Sequence, residues 1–206
     1  MCLDAADKNS YPGCGTTWSD LSPNGNNGTL TNGPTFDSGN GGSIDFDGSN
    51  DIVTTNLVPS FTSSNATQIA WVYYNSTPGG FGSHNSRRFY MGFQNQGNLG
   101  WGYNNVNNWS SGVSHNASIN EWCMIAIVGE NGTTYPYVNG ESLGVGFTYS
   151  TASGTEPNTT YQLGRVTGGD LGYLDGKIAS VHIYNKALTA AEVLQNYNAQ
   201  RSRFGV

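Results

Sequence analysis

Apolar and polar residues alternate along most of this chain with period two. Ile44 and Phe46 alternate with Asp45 and Asp47, and the pattern resumes at Ile52-Val53 after the turn Asp47-Gly48-Ser49-Asn50-Asp51. Such alternation predicts strands with one face on a core and the other on solvent. Two runs break the rule. Thr67–Tyr74 sets Ile69, Trp71 and Tyr73 against Ala70, Val72 and Tyr74, and Glu121–Val128 is likewise apolar on both faces. A strand of that kind is either covered on both sides or carries a ligand face. Leu99-Gly-Trp101-Gly-Tyr103 places three large side chains on one face and only glycine on the other. That weakens a strand unless something approaches it closely.

The period changes once, near the C-terminus. Asp175–Tyr184 reads as a strand opened by an Asp-Gly turn, with Ala179, Val181 and Ile183 on one face and Ile178, Ser180, His182 and Tyr184 on the other. Thr189 and Glu192 then have capping-box spacing, in which a hydroxyl and a carboxylate each satisfy the other residue's backbone N–H. A helix is predicted from Ala190 to about Gln200. Elsewhere Pro12-Gly13, Pro23-Asn24-Gly25 and Asn32-Gly33-Pro34 mark turns, and Asn139-Gly140 marks a hairpin. On the order of twelve strands and one terminal helix follow. With no fixed-period repeat and no dividing linker, residues 1–206 are expected to form one all-β domain.

Composition narrows the partners. Aromatic residues make up 12% and charged residues only 11% of 206, the reverse of a disordered chain. A net charge of −6 does not attract phosphate backbones, so nucleic acid is not an expected partner. No run of about 18 apolar residues occurs, so no membrane insertion is expected, and Met1-Cys-Leu-Asp shows no secretory signal. Three cysteines leave at least one without an intrachain partner; a Cys2–Cys14 bridge is one alternative, and Cys123 reads as a buried thiol.

Three candidate chemistries follow from residue types. Sugars present apolar C–H faces and hydroxyls, so their sites combine exposed aromatics with amides and charged groups. Trp101, Tyr103, Asn105 and Trp109 offer that mixture, with Arg87 and Tyr90 on a neighbouring strand. The competing reading of Trp101 is a core tryptophan. Hard cations take oxygen ligands from loops, and Asp20, Ser22, Asn24 and Asn26 offer oxygens at alternate positions, with Asp175 in a turn that could close the set and Asp47 and Asp51 as second-choice ligands. The competing reading there is simple Asx-turn formation. Glycoside hydrolysis needs two carboxylates flanking a cleft. The five glutamates are isolated, and the sole pair with strand spacing, Asp45 and Asp47, sits beside a turn. No catalytic residue is therefore assigned.

Three blocks carry a family resemblance: Trp18-Ser-Asp-Leu-Ser-Pro-Asn-Gly-Asn-Asn-Gly-Thr-Leu, Ile44-Asp-Phe-Asp-Gly-Ser-Asn-Asp-Ile-Val, and Asp175 through Val193. In order and spacing the chain resembles the laminin-G-like branch of the concanavalin A-like lectin/glucanase superfamily. Its two ends resemble a subgroup found in structural proteins of tailed phages. Pro23, Cys14 and Cys123 depart from that pattern. The resemblance implies a jelly-roll sandwich of two antiparallel sheets with one short C-terminal helix, and a structural Ca2+ on Asp20, Asn24, Asn26 and Asp175. It also implies a role on a particle surface or in glycan attachment, and, with no catalytic carboxylate pair assigned, the expected protein is a non-enzymatic virion-surface one, as capsid decoration or tail-fibre module. Its expected partners are other virion proteins, cell-surface glycans or a second copy of the chain, met at the virion surface after release. The alternative is a carbohydrate-binding module of a glycoside hydrolase or lyase, or such an enzyme itself.

Overall fold

The computed structural model describes residues 1–58, 65–76, 79–84, 89–95, 98–103, 106–108, 119–144, 146, 148, 160–166 and 172–206. Six short strands open the chain: β1 (Cys2–Asp4), β2 (Thr17–Trp18), β3 (Gly28–Thr31), β4 (Thr35–Asp37), β5 (Ser43–Asp47) and β6 (Ile52–Thr55). The middle contains β7 (Ala66–Tyr74), β8 (Gly79–His84), β9 (Phe89–Asn95), β10 (Asn98–Tyr103) and β11 (Val106–Asn108). Then follow β12 (Trp122–Glu130), β13 (Thr133–Val138), β14 (Glu141–Ser142), β15 (Tyr161–Leu163), β16 (Asp175–Tyr184) and the helix α1 (Ala190–Phe204).

These strands form two antiparallel sheets, and the fold is a jelly-roll sandwich. The first sheet runs β14-β13-β12-β7-β16-β5-β4, with β1 also paired to β16. The second runs β11-β10-β9-β8-β15-β6-β3-β2. Between them lie the inward side chains of both, including Ile44, Phe46, Val72, Tyr74 and Ile125 from the first and Val53, Phe81, Phe93, Leu99 and Trp101 from the second. Trp101 ties the layers together: its indole N–H donates to Thr134 Oγ1 on β13 at 3.2 Å.

The two doubly apolar strands lie side by side, β7 against β12, and α1 covers part of their outer face. Ile69, Trp71, Met124, Ala126 and Val128 form a second apolar cluster with Val193 and Phe204 of the helix. Trp71 stacks on Phe204 with ring centroids 4.2 Å apart. The capping box forms as the spacing predicts, with Thr189 accepting from the Glu192 N–H and Glu192 accepting from the Thr189 N–H. Thr67 pins the approach to the helix, accepting from Leu188 N–H and donating to the Lys186 carbonyl, each at 2.9 Å. At the other end Arg203 reaches Asp4 at 2.8 Å and the carbonyls of Asn40 and Gly42.

Strand β16 departs from simple alternation. Ile178 pairs with Val72 but Ser180 pairs with Trp71, so Ala179 is one residue too many. This bulge lets Ile178 and Val181 both enter the inter-sheet core while Ala179 packs under the helix. A Cys2–Cys14 bridge does not form; Cys2, Cys14 and Cys123 are all free thiols. Cys123 is buried, and that burial pushes its pKa up to about 12.

Candidate functional site

Bordering α1, the outer face of the first sheet carries polar and aromatic side chains in register. Thr35 faces Asp45, Asp45 faces Lys177, Lys177 faces Tyr73, and Tyr73 faces Trp122. Directly paired residues project to the same side, so these five form one row across five strands, about 19 Å long at the usual strand spacing. Tyr73 and Trp122 are partly exposed and meet edge to face, with centroids 5.6 Å apart. Trp122 is held on its other side by Phe204 at 4.7 Å, and its indole N–H donates to Asn40 Oδ1 at 3.1 Å.

The next row along the same strands is acidic. Asp175 on β16 lies directly opposite Asp47 on β5. Gly176 makes the approach of β16 to β7 possible: its φ is +150°, and a Cβ there would stand 2.1 Å from the Tyr73 carbonyl oxygen. Asp175 consequently receives the Asn75 amide at 2.9 Å and the Ser76 hydroxyl at 2.7 Å.

The two rows meet in a cavity of about 310 Å³ lined by Asp45, Asp47, Asp51 and Asp175, with Asn32, Thr35 and Asn75 among its other polar groups and Phe46 at its apolar wall. Asp51 is only 4% exposed. Its Oδ2 accepts from the Asp47 N–H at 3.1 Å. Burial pushes the Asp51 carboxyl above the usual range, and the charges of Asp47 and Asp45 add to the rise. Asp45 is raised for the same first reason, with Lys177 pulling the other way. Lys177 offsets the cavity's charge only in part, because its ammonium is also bonded to Asp37, which is outside the lining. That bond holds the Asp37 carboxyl below its ordinary range and raises Lys177.

Of the residues singled out from the sequence, Asp45, Asp47, Asp51 and Asp175 line this cavity, and the other described ones do not. Tyr90 is 1% exposed and Trp101 0% exposed, so both are core residues and neither offers a face to a sugar. Alternation shows that Leu99, Trp101 and Tyr103 share a side; it does not show which side is inward. Arg87, Asn105 and Trp109 lie outside the described residues, as does the side chain of Tyr103. Asp20 is an organiser of the first loop. Its Oδ1 accepts from the N–H groups of Cys2 and Ser22, and its Oδ2 from the Ser22 hydroxyl and the Asn26 N–H, all within 2.7–2.9 Å. Asn24 donates to Ser22. Asp175 lines the cavity, and Asp20, Asn24 and Asn26 do not. Among the described residues no group of three or more His, Cys, Asp or Glu side chains is placed to hold a metal. Tyr73 and Trp122 were not singled out as binding residues, although each lies one position inside the end of a run that is apolar on both faces.

A family model described as concanavalin A-like lectin/glucanases superfamily, Laminin_G_3, matches residues 47–194, and the chain belongs to that family. No curated protein matches. Among solved structures, the binding domain of botulinum neurotoxin serotype D aligns over 97% of this chain and 51% of its own, with TM-score 0.71 and 16% identity. Domain 4 of AbnA, an extracellular arabinanase from Geobacillus stearothermophilus in complex with arabinotriose, aligns over 86% of this chain and 91% of its own, with TM-score 0.63 and 20% identity. Trypanosoma rangeli sialidase in complex with sialic acid aligns over 98% and 33%, with TM-score 0.70 and 14% identity. The chain spans about half the neurotoxin domain and a third of the sialidase.

Proposed function

We propose that this protein is a non-enzymatic glycan-binding module, displayed on a virion surface as a decoration or attachment protein. The observation that carries the reading is the Tyr73–Trp122 pair, partly exposed and in line with the cavity on the outer face of the first sheet. Aromatic rings give a sugar's C–H face a platform, while carboxylates and amides beside them orient its hydroxyls. The relatives' names support the binding half: one is a toxin binding domain, another a domain in complex with arabinotriose. The virion half is supported by the resemblance of the chain's two ends to structural proteins of tailed phages.

The test is a glycan array with the intact chain and Tyr73→Ala. We expect binding to at least one class of oligosaccharide, weakened about tenfold or more by Tyr73→Ala, as loss of a stacked aromatic entails. Binding that survives Tyr73→Ala but is lost in Trp109→Ala would move the site to Arg87, Asn105 and Trp109.

A hydrolase is the second reading, favoured by one observation. Asp45 and Asp51 have raised carboxyls in a cavity that also holds Asp47 and Asp175, and a glycosidase needs a protonated acid beside an ionised partner. Incubating the bound glycan with the chain and assaying reducing ends separates the two; release of reducing ends would make it an enzyme.

A further inference from the structure

The charge of the cavity says which glycans the face can take. Asp47 and Asp175 stand directly opposite each other on neighbouring strands, an arrangement that works against sheet stability. The donors that relieve it are neutral: Asn75 and Ser76 for Asp175, and the backbone N–H groups of Ser49 and Asn50 for Asp47. Asp45 and Asp51 add two more carboxyls, and among the described residues no Lys or Arg is in the lining. Lys177 lies in the row between Tyr73 and Asp45, with its ammonium 6.0 Å from the Tyr73 ring centroid, and is ion-paired with Asp37, so one paired cation faces four carboxyls. A ligand laid along the Trp122–Tyr73 row toward this end runs from an aromatic platform into a concentration of negative charge.

We propose that this face accepts uncharged glycans and rejects those bearing a carboxylate, such as sialic acid or a uronic acid. Asp47 and Asp175 are its specificity-determining residues. The proposal rests on the glycan-binding reading above and deepens it. A carboxylate on the ligand would be placed among four like charges, and the one ammonium in the row, Lys177, is already paired with Asp37, so that partner is disfavoured. A neutral sugar meets the same carboxylates as hydroxyl-accepting groups and loses nothing. The chain shares its fold with a sialidase solved with sialic acid bound, so the shape of the sandwich does not decide between the two classes. The side chains of β5 and β16 do.

The experiment uses matched pairs of oligosaccharides, neutral and sialylated or uronate-bearing, on one array. The intact chain and Asp47→Asn are each probed at about 50 mM and 500 mM NaCl, where screening differs severalfold. Asp47 is exposed and its hydrogen bonds are accepted by an oxygen that asparagine retains, so the fold is not at stake. We expect the neutral member of each pair to bind about tenfold more tightly at low salt. High salt and Asp47→Asn should each narrow that ratio. Equal or better binding of the acidic member overturns this proposal and leaves glycan binding standing. A neutral preference that neither salt nor Asp47→Asn alters removes the carboxylates as its cause. Absence of binding to every glycan overturns both readings.

Discussion

At the scale of single residues, the same side-chain chemistry serves opposite ends in two parts of this chain. Asp20 and Asp175 both carry a carboxylate in an Asn- and Gly-rich setting. Asp20 spends both oxygens on four local donors and so ties β1 to the first loop. Burial alone would raise its carboxyl. The hydrogen bonds from Cys2, Ser22 and Asn26 outweigh burial and hold it below the ordinary value. A carboxylate depressed in this way stabilises the fold above its unfolded pKa and stops doing so as pH falls toward the folded value. Asp20→Ala should therefore cost about 2 kcal/mol at neutral pH, the scale of lost hydrogen bonds to a charged group. Protein donors reach both oxygens of Asp20, and on that ground a chelator should leave the thermal midpoint of the intact chain unchanged. Calorimetry with and without EDTA checks both statements. A midpoint that falls with EDTA, or an Asp20→Ala variant as stable as the parent, would return the loop to calcium.

At the scale of elements, α1 is fastened to the sheet by polar contacts as well as by Trp71 and Phe204. His182 and Tyr184 project from β16 toward the helix. The Tyr184 hydroxyl lies 3.3 Å from His182 Nδ1 and donates to Asn196 Oδ1 at 3.0 Å. Burial pushes the His182 pKa below 6.5, with the Asn196 hydrogen bond and the Asp4 charge opposing and the Met1 amino group assisting. The folded chain then binds fewer protons here than the unfolded one. Stability is complete above the unfolded value and declines as pH falls from about 6.5 toward the folded pKa. Urea midpoints at pH 7.5 and 5.5 should differ for the parent and differ less for His182→Gln; equal pH sensitivity in both would show that His182 is not the source. The helix itself was readable in advance, because Thr189 and Glu192 form a local motif whose physics needs no partner. The faces of β16 were not, since the bulge at Ala179 answers to the register against Trp71 and Val72, set by residues more than a hundred positions away. Which of the two readings of Trp101 holds depends on which side of its strand faces inward, and the Tyr73–Trp122 row on the pairing of β7 with β12, neither of which one sequence prints. Asp45 and Asp47 were recognised as sharing a face; that Asp175 would join them followed only from the strand order.

At the scale of the whole molecule, the sandwich separates holding from display. Its inter-sheet core and the helix-covered apolar patch account for the fold, and the proposed binding face is the part of the first sheet bordering α1. That face is shallow, about one short oligosaccharide long, and its cavity of about 310 Å³ is at the small end for ligand sites. A single such site gains little surface and is expected to bind weakly, since the loss of ligand freedom offsets most of the contact. Weak sites become effective when many are held on one scaffold, where linkage adds about 10²–10⁴ in avidity without new contacts. This is what display on a virion would supply. The proposed location therefore has a measurable consequence in the ratio of two affinities. Binding of the intact chain in solution to an immobilised neutral glycan should be compared with binding of the same chain coupled at many copies to a nanoparticle. We expect the multivalent form to be retained at least a hundredfold longer, and Tyr73→Ala to abolish retention in that form. Mass spectrometry of purified particles should then find the chain among their structural proteins. Tight binding by the single chain, with no gain on coupling, would point instead to a module that works alone beside an enzyme.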